Sequence, residues 1–212
     1  MPLKNRISLS SRWSDMKALR NRIIPMDPRG RNFLKMQVLE TERLVLRKLD
    51  QNDLKDIIAC EVVSGTHCNE VEAQEFLDYC FREYCERGIG PWGIQLKETK
   101  MIVGNCGFPH INFNNLCGEV NYYIASRYRG RGLAPEALKA LLEFGFGHFG
   151  LIQIQARCEL GNLSSERVMQ KVGMRFKGLM EHAQSSKDPS PKQKLYAILA
   201  KDFKLATTGV RT

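Results

Sequence analysis

The chain has 212 residues, of which 43% are hydrophobic and 26% charged, an ordinary composition for one globular unit with an appendage and outside the ranges of disordered, collagen-like or coiled-coil chains. Its most apolar stretch, Leu138 to Leu151, is broken by Lys139, Glu143 and three glycines, so no run of about 18 uncharged apolar residues exists to span a membrane as a helix. The net charge of +9 is uneven: residues 1–35 carry +7 and the remaining chain only +2.

Residues 1–35 hold a serine run at Ser8, Ser10 and Ser11, the breakers Pro25, Pro28 and Gly30, and only Asp15 and Asp27 as acids. Composition reads this as a basic, loosely ordered extension with three open accounts: an arm touching nucleic acid, ribosome or membrane surface, an Arg-rich targeting peptide, or residues upstream of a start near Met36. The main domain is expected over residues 36–205, with 206–212 as a tail. The seven cysteines are scattered without a C-x-x-C pair, which fits neither a disulfide framework nor a zinc site and suggests a reducing, cytoplasmic home with no metal.

From Leu39 the pattern turns regular. Leu44, Leu46 and Leu49 alternate with residues suited to a half-buried strand ending at Asp50, and helices are expected over Asn52 to Val62 and Glu70 to Arg87. Phe76, Leu77, Cys80, Phe81 and Tyr84 form the apolar face of the second, which Gly88, Gly90 and Pro91 stop. Three strands, Trp92 to Leu96, Met101 to Phe108 and Glu119 to Ala125, read as an antiparallel meander. A helix from Leu133 to about Gly147 carries Ala134, Ala137, Leu138, Leu141 and Leu142 on one stripe. Leu151 to Cys158 then alternates as a strand, expected to run parallel to the one before the helix because a helical crossover joins them. A short helix, Leu163 to Val172, has Asn162 as N-cap and Gly173 as terminator. Strands near Met174 to Glu181 and Lys194 to Lys201 close the domain around a loop, Ser185 to Pro191.

The sharpest local feature is Arg127-Tyr128-Arg129-Gly130-Arg131-Gly132-Leu133-Ala134, placed between a strand and a helix start. Glycines there admit positive φ and close approach of main chain to an anion, the helix N-terminus favours negative charge, and arginines add charge-assisted contacts. A plain solvated turn fits the same residues. A Walker A loop or a dinucleotide fingerprint does not, because the terminal Gly-Lys-Ser/Thr and the third glycine are missing.

R-x-x-G-x-G/A between a strand and a helix resembles the acetyl-CoA signature of the Gcn5-related N-acetyltransferase (GNAT) superfamily. Asn162-Leu163-Ser164-Ser165 followed by Val168, Lys171, Val172, Gly173, Met174 and Gly178 resembles the N-x-x-S…K-x-G-F/M…G segment of its Rim-type ribosomal-protein-alanine N-acetyltransferase branch. Thr41-Glu42-Arg43-Leu44 with Leu46-Arg47 resembles that branch's opening strand. The three matches run in order from about residue 38 to 203.

The resemblance implies an α/β (α+β) GNAT fold: a mixed, mostly antiparallel central sheet of about seven strands, splayed between the fourth and fifth (Glu119 to Ala125 and Leu151 to Cys158), with about four flanking helices. It implies acetyl-CoA as co-substrate, with phosphates on the main chain of Arg129, Gly130, Arg131, Gly132, Leu133 and Ala134, and Arg127 as the motif's first position. Ile124 would offer backbone groups to the pantetheine arm or acetyl carbonyl. Asn162 would bond the coenzyme, and equally fits a simple helix cap. Ser165 would act as general acid or thiolate-stabilising donor, against a first-turn serine bonded to local backbone. Tyr196 would be the aromatic residue near the thiol, against a core tyrosine.

The branch expects a carboxylate where Gln184 stands, and glutamine cannot take the proton. Glu119 is the first substitute, working through water, against a surface strand acid; Glu181 and His182 are the others. Neutralising a lysine amine of pKa about 10.4 at pH 7 costs about 4.6 kcal/mol, whereas an α-amine of about 7.7 costs about 1 kcal/mol, so a weak base suffices for a protein N-terminus. The expected activity is acetyl transfer to such an α-amine, with a small-molecule amine or a non-catalytic acyl-CoA-binding module as alternatives. His67, Cys68, Trp92, Phe108 and His110 can contribute to the acceptor side, although core packing is the expected fate of Trp92 and Phe108 and an inert loop position that of His67. Neither the acceptor nor an oligomeric state is written in a motif.

Overall fold

The computed structural model describes residues 36–60, 68–180 and 193–203. The basic extension 1–35, the 206–212 tail, His67, Glu181, His182, Gln184 and the Ser185 to Pro191 loop lie outside the described residues. Among the described residues, eight strands form one sheet: β1 Leu39–Glu40, β2 Leu44–Arg47, β3 Trp92–Leu96, β4 Ile102–Asn112, β5 Cys117–Ile124, β6 Gln153–Glu159, β7 Arg175–Met180 and β8 Gln193–Leu199. Four α-helices accompany it: α1 Leu54–Ala59, α2 Glu70–Glu86, α3 Leu133–Gly147 and α4 Leu163–Lys171. The strand order is β1-β2-β3-β4-β5-β6-β8-β7. All pairs are antiparallel except β5 with β6.

The eighth strand arises where alternation alone reads one. Thr41 turns the chain, its amide donating to the Leu44 carbonyl at 3.0 Å, so Leu39–Glu40 folds back on β2 as a separate short strand. The first expected helix divides into a 3-10 turn, Gln51–Asp53, and α1. Asp50 and Asp53 form a reciprocal capping box around that turn, which satisfies donors that a helix start leaves open. Asn69 and Glu72 do the same for α2.

The main core gathers Leu44, Leu46, Trp92, Ile94, Cys106, Phe108, Val120 and Ile154 with Leu138, Leu141 and Phe144 of α3 and Met169 of α4. Trp92 meets Phe144 and Phe108 edge to face at 5.5 and 6.5 Å and donates Nε1–H to the Gln37 carbonyl at 2.8 Å. Trp92 and Phe108 are therefore packing residues, with the ring N–H satisfied as burial requires. Leu49, Ile57, Phe76, Leu77 and Ile102 are buried outside that cluster: α1 and α2 cover the opposite face of β2–β4. No helix among the described residues is long and apolar enough to cross a membrane.

Two irregularities of β4 matter for function. Its register shifts against β3 between Ile94 and Gln95, and against β5 between Gly107 and His110. Pro109 sits within the second bulge, where a residue without an N–H interrupts the ladder at no further loss. The bulge lets Phe108 enter the core while His110 pairs with Glu119 on the other face.

Candidate active site

The loop after β5 makes one 3-10 turn, Ser126–Tyr128, in which the Arg129 amide donates to the Ser126 carbonyl at 3.2 Å. Gly130 and Gly132 then take φ of +78° and +77°, the left-handed region that favours glycine. A Cβ on Gly130 would have no atom within 4 Å; main chain here faces open space. Gly132 caps α3 without a side-chain acceptor. The amides of Leu133 and Ala134 at the helix start have no intrahelical acceptor, and Pro135 has no N–H to offer.

The arginines of the loop are held in place. Arg127 and Arg131 lie over the Tyr128 ring at 5.1 and 5.4 Å, and Arg127 Nη2 donates to Cys60 Sγ at 2.9 Å. Arg129 lies over Tyr123 at 5.4 Å and donates Nε–H to the Ile124 carbonyl at 2.9 Å. Arg43 donates through Nη1 to the Arg131 carbonyl at 2.8 Å and through Nε to Glu136 Oε2 at 2.7 Å. Glu136 also accepts from the Arg43 amide at 2.9 Å and Thr41 Oγ1 at 2.6 Å. The Thr41-Glu42-Arg43-Leu44 segment thus ties the opening hairpin to the first turn of α3, and so to the glycine loop. Burial pushes the Glu136 carboxyl up, but the bonds from Thr41 and Arg43 outweigh it and hold the group below its ordinary value.

β5 and β6 pair over three positions only, Cys117 with Gln153, Gly118 with Ile154 and Glu119 with Gln155. Beyond Glu119, β5 stays with β4 while β6 stays with β8 up to Glu159. The two parallel strands therefore part into a wedge that opens toward the glycine loop on one bank and the start of α4 on the other. Ile124 ends the first bank. On the second, Asn162 Oδ1 accepts from the Ser165 amide at 3.1 Å and Ser164 Oγ at 2.8 Å, the expected cap. Tyr122 reaches from β5 to donate to the Ser165 carbonyl at 3.1 Å.

Tyr196 is only 3% exposed and donates its hydroxyl to Glu166 Oε2 at 2.8 Å, while Lys194 Nζ lies 2.7 Å from Oε1. Burial and the neighbouring carboxylate raise the phenol's pKa; the bonds from Lys194 and Tyr196 lower that of Glu166. This is the core-tyrosine arrangement, anchoring α4 to β8.

Glu119 stands at the closed end of the wedge, on the face away from α3. With His110, Asn112, Asn115, Cys117, Ile152, Gln153 and Gln155 it lines a cavity of about 380 Å³. Arg157 Nη2 pairs with Glu119 Oε2 at 3.0 Å, both side chains partly open to solvent. The structure thus brings Gly130, Gly132, Leu133, Ala134, Ile124, Asn162 and Ser165 around the mouth of one wedge and sets Glu119 at its apex. Tyr196 is turned into the protein. Tyr122, Glu136 and Glu166 fall outside the motifs, and Arg43, inside the opening-strand motif, gains its role only through its bonds to Glu136 and the Arg131 carbonyl.

A mostly antiparallel sheet parted at its one parallel pair, with a glycine-opened helix start at the mouth, is the arrangement that the GNAT resemblance implies. The model of the acetyltransferase (GNAT) domain matches residues 43–175. The uncharacterized N-acetyltransferase YnaD of Bacillus subtilis (strain 168) is 35% identical over 178 residues, which cover 78% of this chain and 98% of YnaD. A putative ribosomal-protein-serine acetyltransferase from Vibrio cholerae superposes with a TM-score of 0.69 at 19% identity, covering 77% and 97% of the two chains. RimJ of Mycobacterium smegmatis, solved with CoA-disulfide, gives 0.67 at 21% identity, covering 80% and 90%. The chain belongs to the GNAT acetyltransferase family and is an N-acetyltransferase. Both structures share this chain's fold.

Proposed function

We propose that the chain transfers an acetyl group from acetyl-CoA to a primary amine, with the α-amine of a protein N-terminus as preferred acceptor. The observation that carries this reading is the wedge itself: paired main chain ends at Glu119 and Gln155, and the opening runs out to the left-handed Gly130 and Gly132. The site fits the coenzyme. A main chain with no side chain over Gly130, a helix start with open amides, and four guanidiniums, Arg43, Arg127, Arg129 and Arg131, suit paired phosphates. The amides of Gly130, Arg131, Gly132, Leu133 and Ala134 would hold them. The Arg129 amide is engaged in its own turn, so its part falls to the guanidinium, whose turn toward phosphate would release the Ile124 carbonyl for the pantetheine arm.

Bound in the wedge, acetyl-CoA supplies an activated acyl thioester. The protein's share is orientation and proton handling. Glu119 takes the amine's proton through an ordered water, and Arg157 keeps that carboxylate aimed along the cavity. Ser165, at the first turn of α4, faces the sulfur side, and Asn162 fixes that turn while sharing its amide with the coenzyme. The polar cavity around Glu119 receives the acceptor. Because about a sixth of an α-amine of pKa about 7.7 is already neutral at pH 7, a solvent-accessible carboxylate is base enough. Rim-type neighbours support a ribosomal-protein acceptor.

The test is an acceptor screen with acetyl-CoA, read as added acetyl mass and released thiol, over peptides with free and blocked N-termini, polyamines and small amines. Acetylation of free N-termini and not of blocked ones is expected. Thiol release only with small amines would overturn the acceptor, and none with any amine would overturn catalysis.

A further inference from the structure

The wedge holds a contact whose donor, Tyr122, lies outside the three motif segments of this sequence. Tyr122 lies in the parted half of β5, three residues past Glu119, the last that pairs with β6. Its ring packs against the main core, and its hydroxyl crosses to the first turn of α4 to donate to the Ser165 carbonyl at 3.1 Å. One hydrogen bond thereby joins the two banks of an opening that has no ladder to hold its width. The other restraints on the same turn come from different sides: Asn162 caps it from within, and Glu166 is drawn toward β8 by Tyr196 and Lys194. The Tyr122 bond ties it to β5.

We infer that Tyr122 is a positioning residue, a strut that acts through the Ser165 carbonyl to set the first turn of α4, and with it the Ser165 hydroxyl, at a fixed distance from β5 across the wedge. Ser165 is the residue that must meet a reacting sulfur lying between the banks, so a turn that drifts outward removes the donor without removing the binding loop. Burial pushes the Tyr122 phenol up to about 12, which keeps the strut's proton in place through the working pH range. The Ser165 carbonyl is also the helical acceptor for the fourth residue onward, so the strut stiffens the turn rather than replacing its internal bond.

The inference rests on the role given to Ser165 above, and the experiment separates the two. In the full chain, Tyr122→Phe is expected to lower kcat about tenfold, the loss that a bond of about 1.4 kcal/mol carries into a rate, while CoA affinity by calorimetry stays within about twofold because the loop is untouched. Ser165→Ala is expected to lower kcat similarly, and the double variant no further, since the strut serves the serine. Hydrogen exchange of amides 163–169 in the ligand-free chain should speed up in Tyr122→Phe. Multiplying effects on kcat, or exchange that does not change, would overturn the strut. Full activity in Ser165→Ala would instead overturn the role of the serine, and the exchange result then decides the strut by itself.

Discussion

Replacing Glu136 by alanine removes one carboxylate and unties two segments that lie far apart in the chain. Its oxygens accept from Thr41 Oγ1 at 2.6 Å, the Arg43 amide at 2.9 Å and Arg43 Nε at 2.7 Å. The Arg43 side chain is 45% exposed and that of Glu136 16%, so solvent screens the ion pair to well under about 1 kcal/mol. The Thr41 and backbone bonds to a charged acceptor contribute about 1 kcal/mol each, and alanine returns a few tenths through helix propensity. The net loss is about 2 kcal/mol. For a chain of this size that lowers Tm by about 4–8 °C. The carboxyl's pKa is depressed in the folded state, so its contribution is complete above the unfolded glutamate value of about 4.3 and fades as pH falls through the lower folded value. Thermal melts of both proteins from pH 7 down to the acid limit of the fold measure this directly. Melting within about 1 °C of the parent at pH 7, or a gap that persists undiminished in acid, would refute the clamp.

Three further outcomes follow from the site. Glu119→Gln should lower kcat about a hundredfold, the low end for loss of a general base, with CoA affinity unchanged; an equal loss of CoA affinity would move Glu119 from the proton path to the binding site. Gly130→Ala should destabilise by about 1–2 kcal/mol through its left-handed φ alone, since no atom within 4 Å meets the new methyl; a Tm unchanged within error would show that the loop relaxes to negative φ. Tyr196→Phe should leave kcat within about threefold while lowering Tm, because its hydroxyl serves Glu166; a hundredfold loss of kcat at unchanged Tm would restore Tyr196 to the reaction.

The glycine loop and the Asn162–Ser165 turn were legible because each is a short stretch whose chemistry is local: positive φ at glycine, an open helix start, a capping amide. The parallel placement of β5 and β6 followed from a helix lying between two strands. What sequence could not supply are meetings of distant residues. Tyr122 and Ser165 stand 43 positions apart, Arg43 and Glu136 93, and Tyr196 and Glu166 30. Tyr196 fits both an exposed aromatic and a core one until Glu166 is seen beneath it. His110 joins Glu119 only because β4 bulges at Pro109, and a bulge shifts the face of every later side chain in a way that alternation cannot foresee. The division of β1 from β2 was hidden for a simpler reason: Thr41, a good strand residue, is used as a turn.

The central claim, that the wedge and its glycine loop seat the coenzyme's phosphates, is tested most directly by titrating CoA into the full chain by calorimetry beside the double variant Gly130→Asp, Gly132→Asp. Saturable binding of one CoA per chain to the parent, abolished in the variant by bulk and negative charge at the phosphate seat, is the result expected. No heat of binding to the parent at millimolar CoA, or equal affinity in parent and variant, would contradict it.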